Sequence, residues 1–321
     1  MSSPQQLDNS NIKILPHTPL SQYTTFKLGG PARGLINCQT PDQLQQAVRF
    51  CLNKKADFIL IGGGSNIVVS DVGLNCYVLR YVSDVPLIRR EGHNVIVSGS
   101  TSLDALALFA AQEGLEGINY CSGIPGTVGG AVVGNAGAFG KQIGDVLISA
   151  VLLKRDTGEK FKVQKDYCRF TYRHSALKET NDIVLEIEMT LTPADSSALL
   201  AERESFLNTR REKHPNLSTH PCAGSFFRNI EPTSKAEKRQ AAGWFLEEAG
   251  AKSLSVGGAK IFDKHANIIV KSVNCTSQDV FELSQKMIQS VKDKFGFTLT
   301  REVRFVGPFK NMPAGHHGVI W

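Results

Sequence analysis

Residues 62–66 read Gly-Gly-Gly-Ser-Asn and directly follow the apolar run Ile59–Ile61. Three consecutive glycines present backbone N–H groups with no Cβ in the way, and Ser65 and Asn66 add short polar side chains. Gly62, Gly63, Gly64, Ser65 and Asn66 therefore suit a turn that wraps a pyrophosphate through its own amides. The spacing matches neither the phosphate-loop pattern ending in Gly-Lys-Ser/Thr nor the GxGxxG dinucleotide fingerprint, and a plain turn between two strands is the equal alternative. A second stretch tips this balance. Residues 122–140 carry seven glycines, at 123, 126, 129, 130, 134, 137 and 140, and no charge. Two hinge glycines suffice for a turn; this many, among small or apolar neighbours, predict backbone lying flat against a large planar ligand. For that stretch taken alone, a glycine-packed core segment is the alternative.

Other chemistries find little to stand on. The eight histidines form no HExxH and no compact cluster, so no metal site is expected. The seven cysteines are odd in number, widely spaced and free of CxxC, which argues against disulfides and a cysteine zinc site and predicts a reducing cytoplasm. Cys222 has no adjoining base and reads as packing. His174 and His265 read as packed or hydrogen-bonded rather than catalytic. The net charge of +6 is mild for 321 residues. Its tightest cluster, Arg210, Arg211 and Lys213, suits phosphate or flavin as well as the solvated last turn of a helix. With no basic–aromatic alternation and no finger spacing, nucleic acid is not an expected partner. The polar N-terminus lacks a signal-peptide pattern, and no stretch approaches the ~18 continuous apolar residues of a membrane span, so no membrane insertion is expected.

The glycine turns need a scaffold, and periodicity supplies one. Helical spacing runs over Pro41–Lys55, Leu103–Glu113 (with Gly114 as C-cap), Asp195–Lys213 (ended by Pro215), Ala241–Ala249 and Ser277–Phe295. Strands are predicted at Asp57–Ile61, Cys76–Tyr81, Val95–Ser100, Val146–Lys154, Ile183–Thr192, Ala259–Phe262 and Asn267–Lys271, with Val303–Gly307 closing the core. Residues 1–20 look like a loose leader, Pro232–Arg239 a polar connection, and Pro308–Trp321 an irregular tail. The order is mixed α+β, with no βαβ repeat of the dinucleotide-fold kind.

Together the two glycine stretches resemble the flavin-binding fold of the vanillyl-alcohol-oxidase class. Five further segments narrow the match: Tyr23-Thr-Thr-Phe-Lys-Leu-Gly-Gly-Pro-Ala, Asn135-Ala-Gly-Ala, Tyr172-Arg-His-Ser, Ala223-Gly-Ser-Phe-Phe-Arg-Asn and Arg301-Glu-Val-Arg-Phe-Val-Gly. In this order, with Gly62-Gly-Gly-Ser-Asn and Gly123-Ile-Pro-Gly-Thr-Val-Gly-Gly-Ala, the chain from about Tyr23 to Gly307 resembles the UDP-N-acetylenolpyruvoylglucosamine reductase (MurB) family in its shorter subtype. Any one motif is weak; the ordered set is specific.

The resemblance implies non-covalent FAD, NADPH as hydride donor and a UDP-sugar carrying an enolpyruvyl ether as substrate, in peptidoglycan precursor synthesis. It also implies a cytoplasmic enzyme acting as a monomer. Hydride addition to an enol ether conjugated with a carboxylate leaves an enolate, which must be stabilised where its charge develops and then protonated by a positioned acid. By resemblance Ser225 is the proton donor and Arg173 and Glu302 stand beside the enolate. Glu302 cannot help a dianion while ionised, so it is expected to work protonated or to hold a donor network in place. Gly62, Gly63, Gly64, Ser65, Asn66, Ser122, Gly123, Thr127, Gly129, Gly130, Asn135 and Gly137 would line the cofactor, and Asn229 and Tyr172 the sugar nucleotide. Taken singly, each of these residues has a plainer reading: Ser225 as a turn residue, Arg173 and Glu302 as surface ion pairs.

Three departures border the substrate side. His214 stands where the family often has glutamine, Gly134 where it has a small residue or methionine, and Ile230 where it usually has proline. The expected architecture is a leader (1–19), two FAD-binding subdomains (20–85 and 86–200), a substrate-binding α+β domain (201–308) and a tail (309–321). Two alternatives stay open on sequence: another flavin oxidoreductase on this scaffold, and a non-catalytic flavin or UDP-sugar sensor.

Overall fold

In the first part of the chain, burial turns a proline-marked leader into sheet. A computed structural model describes residues 5–6, 13–232 and 238–312. Strand β1 (Lys13–Pro16) pairs antiparallel with β2 (Ala32–Cys38), with Ile14 opposite Ile36, both buried. Prolines suggested loose chain here, but Pro16 merely ends a strand whose apolar residues find a core. Helix α1 (Pro41–Asn53) begins where the Thr40 hydroxyl accepts from the Gln43 N–H and the Gln43 side chain accepts from the Thr40 N–H. Its Leu44, Ala47, Val48 and Cys51 are fully buried. Strands β3 (Phe58–Ile61), β4 (Ile67–Val69) and β5 (Leu74–Tyr81) follow. The sheet runs from the two-residue strand Gln5–Gln6 through β1, β2 and β5 to β3, and its last three strands are parallel. Chain β2–α1–β3 is thus one crossover unit, and β3 delivers the first glycine turn at its C-terminal end.

The second part holds β6 (Ile88–Glu91), β7 (Asn94–Ser98), α2 (Leu103–Gln112), α3 (Val128–Gly134), β8 (Leu147–Leu153), β9 (Lys160–Gln164), β10 (Ile183–Thr190) and α4 (Ser196–Lys213). Its antiparallel sheet has the order β9-β8-β10-β7-β6. Helix α3 qualifies the reading of residues 122–140 as turn. A helical glycine costs about 1 kcal/mol against alanine, yet Val128, Val132 and Val133 are buried at helical spacing, and Thr127 caps the start. Tertiary burial outweighs propensity here.

The third part contains β11 (Cys222–Ser225), α5 (Ala242–Glu248), β12 (Ser255–Val256), β13 (Ala259–Phe262), β14 (His265–Lys271), α6 (Ser277–Phe295) and β15 (Arg304–Val306). Strands β11-β14-β13-β12 form a sheet, and α6 buries Val280, Leu283, Met287 and Val291. Strand β15 stands outside this sheet and pairs parallel with β4, Arg304 opposite Ile67. That return decides where Glu302 lies. Within the polar connection, 233–237 lie outside the described residues; Ile230 and Gln240 bridge across them. In the expected tail, Phe309 packs on Phe281 and Phe305, with ring centroids 5.6 and 5.1 Å apart, and 313–321 lie outside the described residues.

Candidate active site

The two glycine stretches, far apart in sequence, lie against each other. The Ser65 hydroxyl donates to the Pro125 carbonyl at 2.9 Å. A Cβ on Gly62 would stand 2.4 Å from Thr127 Oγ1, and one on Gly63 would stand 3.2 Å from the Gly126 Cα. The second stretch is laid along the end of β7: Val128 N–H donates to Thr101 O and Gly129 N–H to Gly99 O, each at 2.9 Å. A cleft of about 370 Å³ opens beside this junction. Ser65, Gly123 and Pro125 form one wall, Cys222, Gly224 and Ile268 another, and Arg210, Arg211 and His214 a third. A depression of about 560 Å³ around Arg33, Val72 and Pro308 shares no residue with it.

The Tyr23–Gly30 segment brackets this site and lends Thr25 to its lining. Thr25 N–H donates to Gly64 O at 3.1 Å, its hydroxyl donates to Cys222 O at 2.7 Å, and Phe26 meets the Phe226 ring edge-on at 6.4 Å. Gly64 has φ +63°, and a Cβ there would sit 2.3 Å from Tyr23 O. Gly64→Ala is expected to destabilise the protein by about 2 kcal/mol or more through left-handed strain and that clash. Thermal unfolding of the variant against the parent measures this; an unchanged midpoint would mean the turn yields freely.

Ser225 ends β11, opposite Ile268 of β14, and is partly buried. Next to it, the Phe226 carbonyl accepts from Glu302 N–H at 2.8 Å, so 225–228 and 300–303 run side by side. Asn66 ties Glu302 to the first glycine turn: its Nδ2 donates to Glu302 O at 3.2 Å, and Arg304 N–H donates to Asn66 O at 3.1 Å. Arg173 reaches the same place from a tight turn in which Thr171 and His174 exchange backbone hydrogen bonds. Its Nε lies 3.0 Å from Glu302 Oε1, with the two side chains 23% and 25% exposed. Nε has no aligned acceptor, so the contact is an ion pair rather than a hydrogen bond. Tyr172 in that turn accepts from Asn229 N–H at 3.2 Å, and the Arg239 guanidinium lies 3.7 Å from its ring centre. Asn229 Oδ1 in turn accepts from Ala242 N–H at the start of α5.

Three cations that sequence reading passed over belong to this neighbourhood. Lys178 is pushed down to about 8 by burial and by the charges of Arg228, Arg304 and Arg173, with Glu302 opposing them. Arg304 is also lowered, by burial and by Arg228. A signal was there: Arg228 and Arg304 lie within the two motifs that carry Ser225 and Glu302. Cations gathered around one carboxylate make a site suited to a further anion.

Other candidate residues divide by what they touch. Asn135 is fully buried in a left-handed C-cap; Nδ2 donates to Gln142 Oε1 and Thr171 O, and Oδ1 accepts from Gly144 N–H. Its amide holds the protein together behind the cleft. The Ser122 hydroxyl likewise donates to Asn119 O at 2.7 Å, and Gly137 sits in a hairpin where a Cβ would stand 2.5 Å from Lys141 O. Gly123 lies on the cleft wall with its N–H on Asp104 Oδ1, while Gly130, next to buried Gly129, is exposed. Arg210 is neither solvated nor free: Nε donates to Ser122 O and Nη2 to Tyr120 O, pinning the second glycine stretch, whereas Arg211 stays on the surface. His214 is pushed down to about 4 by burial beside His265, so it is neutral at neutral pH. Burial raises the Cys222 thiol, which lies on the cleft wall. Among the described residues no group of three His, Cys, Asp or Glu is placed to hold a metal, and no helix is long and apolar enough to cross a membrane.

Residues 32–163 match a family model described as FAD binding domain, and residues 215–306 match one described as UDP-N-acetylenolpyruvoylglucosamine reductase, C-terminal domain. The chain is 35% identical over 304 residues to UDP-N-acetylenolpyruvoylglucosamine reductase 1 of Bacillus cereus, covering 94% of this chain and 98% of that one. It is 33% identical over 305 residues to the Bacillus subtilis reductase, covering 94% and 97%. Among solved structures, UDP-N-acetylenolpyruvylglucosamine reductase from Thermus caldophilus superposes with a TM-score of 0.74 at 28% identity, covering 92% of this chain and 99% of that one.

Proposed function

The chain belongs to the UDP-N-acetylenolpyruvoylglucosamine reductase family, and we propose that it reduces UDP-N-acetylenolpyruvoylglucosamine to UDP-N-acetylmuramate, with FAD bound non-covalently and NADPH as hydride donor. The observation that carries this reading is that both glycine turns join beside one cleft, and that Asn66 of the first turn bonds Glu302, which pairs with Arg173 and is anchored on the carbonyl of Phe226, next to Ser225.

The residues present fit a flavin. Side chains larger than hydrogen at Gly62 and Gly64 would collide with Thr127 and Tyr23, so only glycine lets the first turn pack this closely on both, with Ser65 and Gly123 left facing the cleft. Gly62–Asn66 and the Gly123–Gly130 stretch would hold it, with residues 20–85 and 86–200 as the FAD-binding subdomains and 201–308 closing over the sugar nucleotide. When bound, FAD supplies the hydride chemistry between NADPH and the enolpyruvyl double bond.

The chain's own residues supply the rest. The Arg173 guanidinium meets the substrate carboxylate, whose negative charge grows as the enolate forms; a planar, permanently charged group suits that oxygen. Glu302 holds Arg173 in place by ion pairing, which favours the donor-network role over that of a protonated acid. Ser225 Oγ delivers a proton to the α-carbon, a transfer a weak acid can make because an enolate is strongly basic. Tyr172 and Asn229 border the sugar-nucleotide side.

The purified protein is expected to be yellow and to release free FAD on acid treatment. Anaerobic NADPH should bleach the colour and the enolpyruvyl sugar should restore it. A protein that takes up no FAD, or a bleached enzyme that the sugar leaves bleached, would end this reading.

A further inference from the structure

Arg173 does its work from a strained position. It is a non-glycine residue with φ +56°, in the two-residue bend between Thr171 and His174. Such a residue pays for its conformation and keeps it only where the surroundings over-determine it. One partner acts on the bend itself: Lys178 Nζ donates to the Arg173 carbonyl oxygen at 2.7 Å. The following chain is short and ordered, with Ser175 Oγ donating to Val133 O and Ala176 N–H to Cys168 O, so Lys178 reaches back from a fixed base.

We propose that Lys178 is a positioning residue for the reduction: its side chain, bonded to the carbonyl oxygen of Arg173, holds the Thr171–His174 bend in the left-handed conformation that aims the guanidinium at the bound substrate. The proposal rests on the assignment of this cleft to the enolpyruvyl sugar. The electrostatics support it. Burial most of all opposes a charge on Lys178, and Arg228, Arg304 and Arg173 add to it, against Glu302 alone in its favour. A cation kept where its neighbours resist it is a feature of functional sites more than of stable cores. A substrate carboxylate entering beside these groups relieves the repulsion and tightens the bend when Arg173 is needed.

Two variants of the full-length holoenzyme test this, Lys178→Met and Lys178→Arg, each checked first for flavin content equal to the parent. Each is reduced anaerobically with NADPH and mixed with UDP-N-acetylenolpyruvoylglucosamine, and the return of flavin colour is timed. Lys178→Met is expected to slow reoxidation at saturating substrate at least about tenfold while NADPH reduction stays within about twofold. Lys178→Arg, which keeps both donor and charge, is expected to recover most of the rate. The parent rate is expected to fall above pH 8, as the ammonium loses its proton, with Lys178→Arg holding its rate further into the alkaline range. Reoxidation of Lys178→Met within twofold of the parent overturns the proposal, and so does an equal loss in both half-reactions. A parent that fails to reoxidise with the sugar overturns instead the assignment of the cleft, so the two failures are told apart.

Discussion

Ser225→Ala is expected to slow reoxidation of the reduced enzyme by the enolpyruvyl sugar about 10³-fold, within the range general acids contribute, while reduction by NADPH stays within about twofold. The split follows from where the proton is needed. Flavin reduction asks nothing of a hydroxyl at the end of β11, whereas the enolate left after hydride addition must be protonated before product can leave. Position, more than acidity, equips Ser225. It follows Gly224, which has φ +73°, and it lies one residue from the carbonyl that anchors Glu302. Serine and alanine share a backbone preference close enough that β11 and its pairing with β14 should survive, and the variant should keep its flavin. Anaerobic stopped-flow on each half-reaction reads the two rates. Equal slowing of both would make Ser225 a structural residue, and unchanged reoxidation would pass the proton to water or another group.

Arg173→Ala is expected to cost about 10²–10³ in the same half-reaction, the loss typical of one donor removed from a developing oxyanion. The enolate forms next to a carboxylate, so two negative charges must be held at once, and a delocalised guanidinium can face both oxygens. Arg173→Lys should recover little of this loss, because an ammonium is a point charge and the left-handed bend at 173 sets the reach of a longer fork. The loss should appear at saturating substrate, not only in KM, if the interaction strengthens along the reaction coordinate. Because Glu302 is the ion-pair partner at 3.0 Å, effects of changes at 173 and 302 are expected to be non-additive. A variant that loses only substrate affinity would recast Arg173 as a binding residue.

Much of the scaffold was legible in one sequence because helix and strand signals are local. Helix α6 begins and ends at Ser277 and Phe295, where periodicity places it, and α1 and α4 start at Pro41 and Ser196, within one residue of where apolar spacing puts them. The misreadings have one cause. At Lys13–Pro16 and in α3, residue type points to loop or turn, through proline in one case and glycine in the other, and in both it is overruled by what the chain packs against. Asn135 and Ser122 show the same limit at the site: small polar residues beside a ligand-like turn look like ligand contacts, yet their side chains are occupied by protein groups.

By itself the sequence determined the chemistry on offer and the elements that carry it: two Cβ-free turns, a serine after a glycine, an arginine and a glutamate in distinct motifs. Only the tertiary structure decided that they meet. The first turn hangs from β3, the second from α3, Arg173 from a bend in the second part and Ser225 from the third. Glu302 arrives because β15, from the third part of the chain, pairs with β4 of the first. Propensity and periodicity act over two to four residues, whereas these meetings depend on registers between distant strands, selected by burying both partners' apolar faces together. Lys178, Arg228 and Arg304 gather by the same long-range closure, so their mutual repulsion exists only in the folded chain.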